Sequence, residues 1–184
     1  MKSPVRLILT WAFAASVVVT AQSRPVPSPE ASFGFKPGAD YKLATYDQSI
    51  EYFRKLAAST KYVRLVEAGT TSQGRTMYFA LISTPKNLEQ IERYRQIAQR
   101  LAHPAGLTDA TARELAREGK PFIHIDGGLH STEVAGAQHT PLLAYDLVGR
   151  AQAEDPSAKA ILDNVILMLW PTINPDGQQM VSEW

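Results

Sequence analysis

The spacing of apolar residues changes period several times along this chain, and each change predicts an element. Thr45 reads as a helix cap, and Ile50, Phe53, Leu56 and Ala57 then recur at helical spacing to about Ser59. Val63 to Glu67 alternates as a half-buried strand does. Arg75 to Ser83, with Met77, Phe79 and Leu81 on one face, reads as its hairpin partner across the Ser72–Arg75 turn. Between Lys86 and Gly119 the texture is helical again. Leu88, Ile91, Tyr94, Ile97, Ala98 and Leu101 carry one helix, the residues His103 to Gly106 break it, and Thr108 caps a second helix to Glu118. The charges between the apolar positions read as a solvated face or, alternatively, as the lining of a cleft.

Phe122, Ile123 and Ile125 form a short apolar run expected to be a buried strand. Asp126-Gly127-Gly128 ends it, and an amphipathic helix is expected from Glu133 to Arg150, kinked at Pro141. A short helix is expected from Asp155 to Asp163. Val165 to Trp170 is continuously apolar, as in a central strand covered on both faces, and Asn174 to Gly177 is a turn sequence at its end. Strands alternating with helices predict an α/β fold, a mixed β-sheet flanked by helices.

His130 and Glu133 fall where the strand ending at Asp126 gives way to the helix. In open α/β sheets, sites are built at that carboxyl edge. A neutral imidazole on a loop and a carboxylate in the first helical turn can reach one ion, and for such N and O donors in a hydrolytic site the ion is zinc. The pair is weak on its own, since a loop histidine can equally cap the following helix. The other histidines do not extend it. His124 lies within the strand, His103 precedes a proline, and His139 is six residues beyond Glu133 and so on another helix face. Asp126 reads either as a carboxylate that orients a ligand histidine or as a turn or cap residue. Ser131 lacks the Gly-x-Ser-x-Gly setting of a nucleophile.

Three blocks give the pair its context: Gly69-Thr-Thr-Ser-Gln-Gly-Arg-Thr76, Ile125-Asp-Gly-Gly-Leu-His-Ser-Thr-Glu133 and Pro171-Thr-Ile-Asn-Pro-Asp-Gly177. Together they closely resemble the zinc carboxypeptidase family typified by carboxypeptidase A. The resemblance runs from about Tyr41 to Trp184 and covers about the first half of the family's domain. It implies a truncated zinc carboxypeptidase-like sheet, zinc as cofactor with His130 and Glu133 as ligands, and hydrolysis of C-terminal residues from peptides. It also implies that segment 86–119 is a helical insertion and that Asn174 and Asp176 are structural. The family's third ligand (a histidine), the residues that grip the substrate carboxylate and the catalytic glutamate all come later than this sequence reaches. The chain is therefore expected to be an incomplete fragment, inactive alone. Thr132 stands where many family members have arginine, which puts subsite preference in doubt. Two rival readings are a zinc N-acyl amino acid deacylase resembling the aspartoacylase branch and a non-catalytic peptide-binding remnant. The Asn-Pro-Asp-Gly block and the Ser-Gln-Gly-Arg hairpin favour a peptidase over the deacylase.

Composition adds an address. Lys2 and Arg6, the apolar run Leu7 to Val19 and the small residues Val19-Thr20-Ala21 make residues 1–21 a secretory signal, cut after Ala21. The rival reading is an uncleaved anchor, but the run is shorter than the ~20 residues of a spanning helix. Residues 22–39 are Pro- and Ser-rich and read as an extended linker, leaving 40–184 as the catalytic-domain part. Cleavage would remove two cations from 19 and leave 17 against 18 acids, near neutrality. That balance suits neither nucleic acid nor a membrane surface as partner. With no cysteine, disulfides and thiolate metal ligation are excluded. A secreted or periplasmic enzyme acting on peptides is the resulting expectation.

Overall fold

The computed structural model describes residues 25–184. The expected signal segment and the first residues of the expected linker lie outside the described residues. The remainder of that linker is not simply extended. Ser28 accepts a hydrogen bond from Ala31 N at 3.1 Å, Pro29 occupies the first helical turn, and helix α1 runs Pro29–Phe33. Alternating prolines suggested extension, but Ser-Pro is also a helix start, because proline's fixed φ and missing N–H suit the first turn. Phe33 is buried and packs edge-on against Tyr52, with ring centroids 5.9 Å apart. The burial of this ring holds the segment on the domain.

Helix α2 (Tyr46–Ser59) starts in a capping box: Thr45 Oγ1 accepts from Gln48 N and Gln48 Oε1 accepts from Thr45 N. Strands β1 (Val63–Thr70) and β2 (Thr76–Ile82) form the expected antiparallel hairpin, with a bulge between Glu67 and Gly69. Three helices follow: α3 (Pro85–Glu89), α4 (Ile91–Ala102) and α5 (Asp109–Glu118), the last capped by Thr108 as expected. Asn87 pins the start of this segment, its Nδ2 lying 3.0 Å from Ser83 Oγ, 2.9 Å from Leu162 O and 3.2 Å from Asp163 O. Strand β3 (Phe122–Asp126), helix α6 (Ala135–Gln152), helix α7 (Pro156–Asn164) and strand β4 (Ile166–Trp170) complete a β–α–β crossover, and helix α8 (Pro175–Glu183) ends the chain.

The sheet order is β1-β2-β4-β3, antiparallel except for the parallel pair β3–β4. Alternation along the strands divides the core in two. Ala80, Ile82, Leu167 and Leu169 face α2, α6 and α7, where Phe53, Leu56, Val148 and Leu162 are fully buried. Leu81, Ile166 and Met168 face the other way, onto Leu88, Tyr94 and Ile97 of the 86–119 segment. That segment thus covers part of the second face of the sheet, while its charges pair on the solvent side as Arg93–Glu118 and Arg95–Glu92. Burying each such Leu or Ile side chain contributes about 1.5–3 kcal/mol, so this packing holds the segment in place.

Two expectations change. β4 is the covered central strand, but β3 is an edge strand among the described residues rather than a buried one, and Ile123 is 42% exposed. An apolar run records side-chain character and not how many neighbours the strand has. Second, Asn174 to Gly177 is not a free turn: it is the capped first turn of α8, with Asn174 Oδ1 accepting from Gly177 N at 3.0 Å. Asx side chains favour turns and helix caps through the same hydrogen bond, so the sequence did not separate them.

Candidate metal centre

The loop after β3 is built by close backbone approach. Gly127 N donates to Trp170 O and Ile173 N to Gly127 O, carrying the β3–β4 pairing beyond the strand ends. A Cβ on Gly127 would lie 2.5 Å from Gly136 O and 2.7 Å from Thr140 Cγ2, so the loop is pressed against the first turns of α6. Gly128 has φ +66°, a left-handed conformation that glycine adopts without steric cost, and its carbonyl accepts from Thr172 Oγ1 at 3.1 Å. Thr140 Oγ1 lies 3.1 Å from Ala137 O, the carbonyl that Pro141 leaves without its helical N–H partner, and 2.9 Å from Pro171 O. Proline is tolerated inside α6 because a neighbouring hydroxyl serves the freed carbonyl.

From this base the chain turns back on itself. Glu133 N donates to His130 O at 3.1 Å, closing a four-residue turn, and the side chains at its two ends meet with His130 Nδ1 3.1 Å from Glu133 Oε2. Glu133 therefore lies in the turn before α6, which begins at Ala135, and not in the first helical turn. A turn, rather than helical periodicity, brings the two side chains into contact. Both side chains are exposed, at 67% and 73%, so an ion could reach them without paying for burial of either donor.

The other candidates are elsewhere. Asp126 Oδ2 is 3.5 Å from His124 Nε2, a contact with a histidine on the sheet face and not with His130. The His124 ring in turn lies against Trp170, with centroids 6.0 Å apart. His139 Nδ1 is 2.8 Å from Gly136 O in its own helix, and His103 follows the end of α4. Ser131 sits against the first turn of α8, where a Cβ on Gly177 would come within 2.6 Å of Ser131 Cβ. Among the described residues no group of three or more His, Cys, Asp or Glu side chains is placed to hold a metal ion.

Asp176, a member of the structural Asn-Pro-Asp-Gly block, does more than close a turn. Its carboxylate, 14% exposed, accepts from Thr71 Oγ1 at 3.0 Å and from Gln73 N at 3.4 Å, and faces Arg75 Nε at 3.2 Å. The hairpin turn is thereby bound to α8. Asn174 Nδ2 donates to Leu129 O at 3.2 Å, binding α8 to the loop of His130. The three sequence blocks are one connected unit in space. Their joint occurrence was the signal for this, but not for which atoms join them.

Comparison with known proteins bears on the family and the fold. The zinc carboxypeptidase family profile matches residues 49–184, whereas no curated protein matches the chain. Among solved structures, thrombin activatable fibrinolysis inhibitor superposes with a TM-score of 0.57 at 9% identity, over 85% of this chain and 32% of that one. Carboxypeptidase A from Helicoverpa armigera gives 0.48 at 18% identity, over 82% and 31%. The first likeness speaks for the fold alone. This chain spans about a third of the length of either structure.

Proposed function

The chain belongs to the zinc carboxypeptidase family, and from that premise we propose that it carries the first two zinc ligands, His130 and Glu133, of a metallocarboxypeptidase that removes C-terminal residues from peptides. The observation that carries this reading is the convergence of His130 Nδ1 and Glu133 Oε2 to 3.1 Å on an exposed loop at the carboxyl edge of the sheet. A neutral imidazole and a carboxylate suit zinc, and their contact lets one ion replace one hydrogen bond with two coordinate bonds. A hydrolytic zinc site uses three protein ligands, and the pair provides two. In such a site zinc supplies Lewis acidity at the scissile carbonyl. The contribution of this chain's own residues is to hold the two donors on a loop whose backbone is fixed at Gly127, Gly128 and Leu129. Export with cleavage after Ala21 is part of the same proposal, and the N-terminal residue of the secreted product tests it.

The test is zinc titration by calorimetry on residues 22–184, with His130→Ala and Glu133→Gln beside the parent chain. Binding should be weak and one-to-one, each substitution should abolish it, and no peptide should be turned over. Stoichiometric binding that survives both substitutions would place the ion elsewhere and overturn the assignment. Zinc-dependent peptide turnover by the isolated chain would refute its expected inactivity.

A further inference from the structure

We propose that the hairpin turn Thr71–Arg75 is a latch on the candidate metal loop, and that Asp176 and Arg75 are positioning residues acting through the first turn of α8. Its functional meaning rests on His130 and Glu133 being ligands, but its geometry does not. Asp176 collects three groups from one turn, the Thr71 hydroxyl, the Gln73 amide and the Arg75 guanidinium. The Arg75 contact is an ion contact, not an aligned hydrogen bond, since Arg75 Nε has no hydrogen-bond partner among the described residues. Thr71 Oγ1 accepts from Arg75 N while donating to Asp176, so the turn's own closure and its attachment to α8 share one hydroxyl. At the second position of a nine-residue helix, the Asp176 carboxylate also faces the positive end of the backbone dipole.

On the far side of the same turn, Asn174 holds Leu129 O and Gly177 abuts Ser131, the two residues that flank His130. A shift of the α8 N-terminus therefore moves both neighbours of the histidine. The latch is not the helix's sole anchor. Gln178 Nε2 donates to Ala44 O at 3.1 Å, and Gln179 Oε1 accepts from Asp47 N at 3.2 Å. Cutting the latch should thus leave α8 docked on α2 and the fold intact, with the loss felt at the loop. The structure ties a remote arginine to the metal loop through one ion contact, Arg75 to Asp176, and one hydrogen bond, Asn174 to Leu129 O.

The experiment uses the whole chain after signal removal, with Arg75→Met, Arg75→Lys and Asp176→Asn, and Arg93→Met as a control in an exposed pair remote from the loop. Amide hydrogen exchange at Gly127 and Glu133, the His130 ring signals by NMR, the zinc dissociation constant and the Tm are measured together. Coupling through such networks is worth about a 2- to 30-fold change. Arg75→Met and Asp176→Asn should speed exchange at both amides and weaken zinc binding by that factor, with Arg75→Lys restoring part of each. Arg93→Met should change neither. Unaltered loop amides and His130 signals, with only the hairpin responding, would overturn the latch. If the parent chain binds no zinc yet loop protection falls in the variants, the ligand assignment fails and the latch stands.

Discussion

Replacing Gly127 with alanine tests how tightly the loop must approach α6. The added Cβ would sit 2.5 Å from Gly136 O, 2.7 Å from Thr140 Cγ2 and 3.0 Å from Gly136 C. Two of these are backbone atoms at the start of a helix, which cannot swing aside as the tip of a side chain can. The loop or the helix must then move by several tenths of an ångström. Overpacking of this kind costs typically about 1–3 kcal/mol, and the backbone contacts put Gly127→Ala at the upper end. For a domain of this size each kcal/mol shifts Tm by roughly 2–4 °C, so about 3 kcal/mol lowers it by about 6–12 °C. Gly149, inside α6, supplies a control of opposite sign. No atom lies within 4 Å of the Cβ it would gain, and its φ is not left-handed. Gly149→Ala should stabilise by about 0.5–1 kcal/mol through reduced backbone entropy of the unfolded chain. Thermal denaturation by circular dichroism reads both. A Gly127→Ala protein with the parent Tm, or one that rises together with Gly149→Ala, would refute the close approach.

Two further outcomes are expected. Asn87→Ala removes a buried amide that serves Ser83 Oγ and the end of α7, at a cost of about 2 kcal/mol; Tm should fall by about 4–8 °C, and exchange at the amides of α3 should rise. Asp155 caps α7, and its hydrogen bonds to the Ser157 hydroxyl and Ala158 N, with Arg150 beside it, hold its pKa down at about 2. A carboxyl depressed in the folded state contributes stability above its ordinary pKa of about 3.9 and loses it as pH falls toward 2. The parent should accordingly be more stable than Asp155→Asn at pH 6, and calorimetry should show the gap closing between about pH 4 and pH 2. A gap independent of pH would show that the charge contributes nothing.

The local pattern of the sequence determined what local physics controls. The cap at Thr45, the β1–β2 hairpin, the cap at Thr108 and the covered strand β4 follow from side-chain hydrogen bonding and apolar period, which operate over a few residues. The three motif blocks likewise carried the resemblance to the family that the profile match over residues 49–184 shows. Tertiary structure decided everything that depends on neighbours far apart in the chain. It put β3 at the edge of the sheet, because strand order is not encoded in the composition of one strand. It folded Pro29–Phe33 onto the core, because Phe33 finds Tyr52 there and burial outweighs the extended bias of the surrounding prolines. It fixed the loop of His130 and Glu133 through Thr172 and Asn174, more than forty residues along the chain from their partners Gly128 and Leu129. And it joined Arg75 to Asp176 across a hundred residues, a contact between two charges that no local periodicity could have announced.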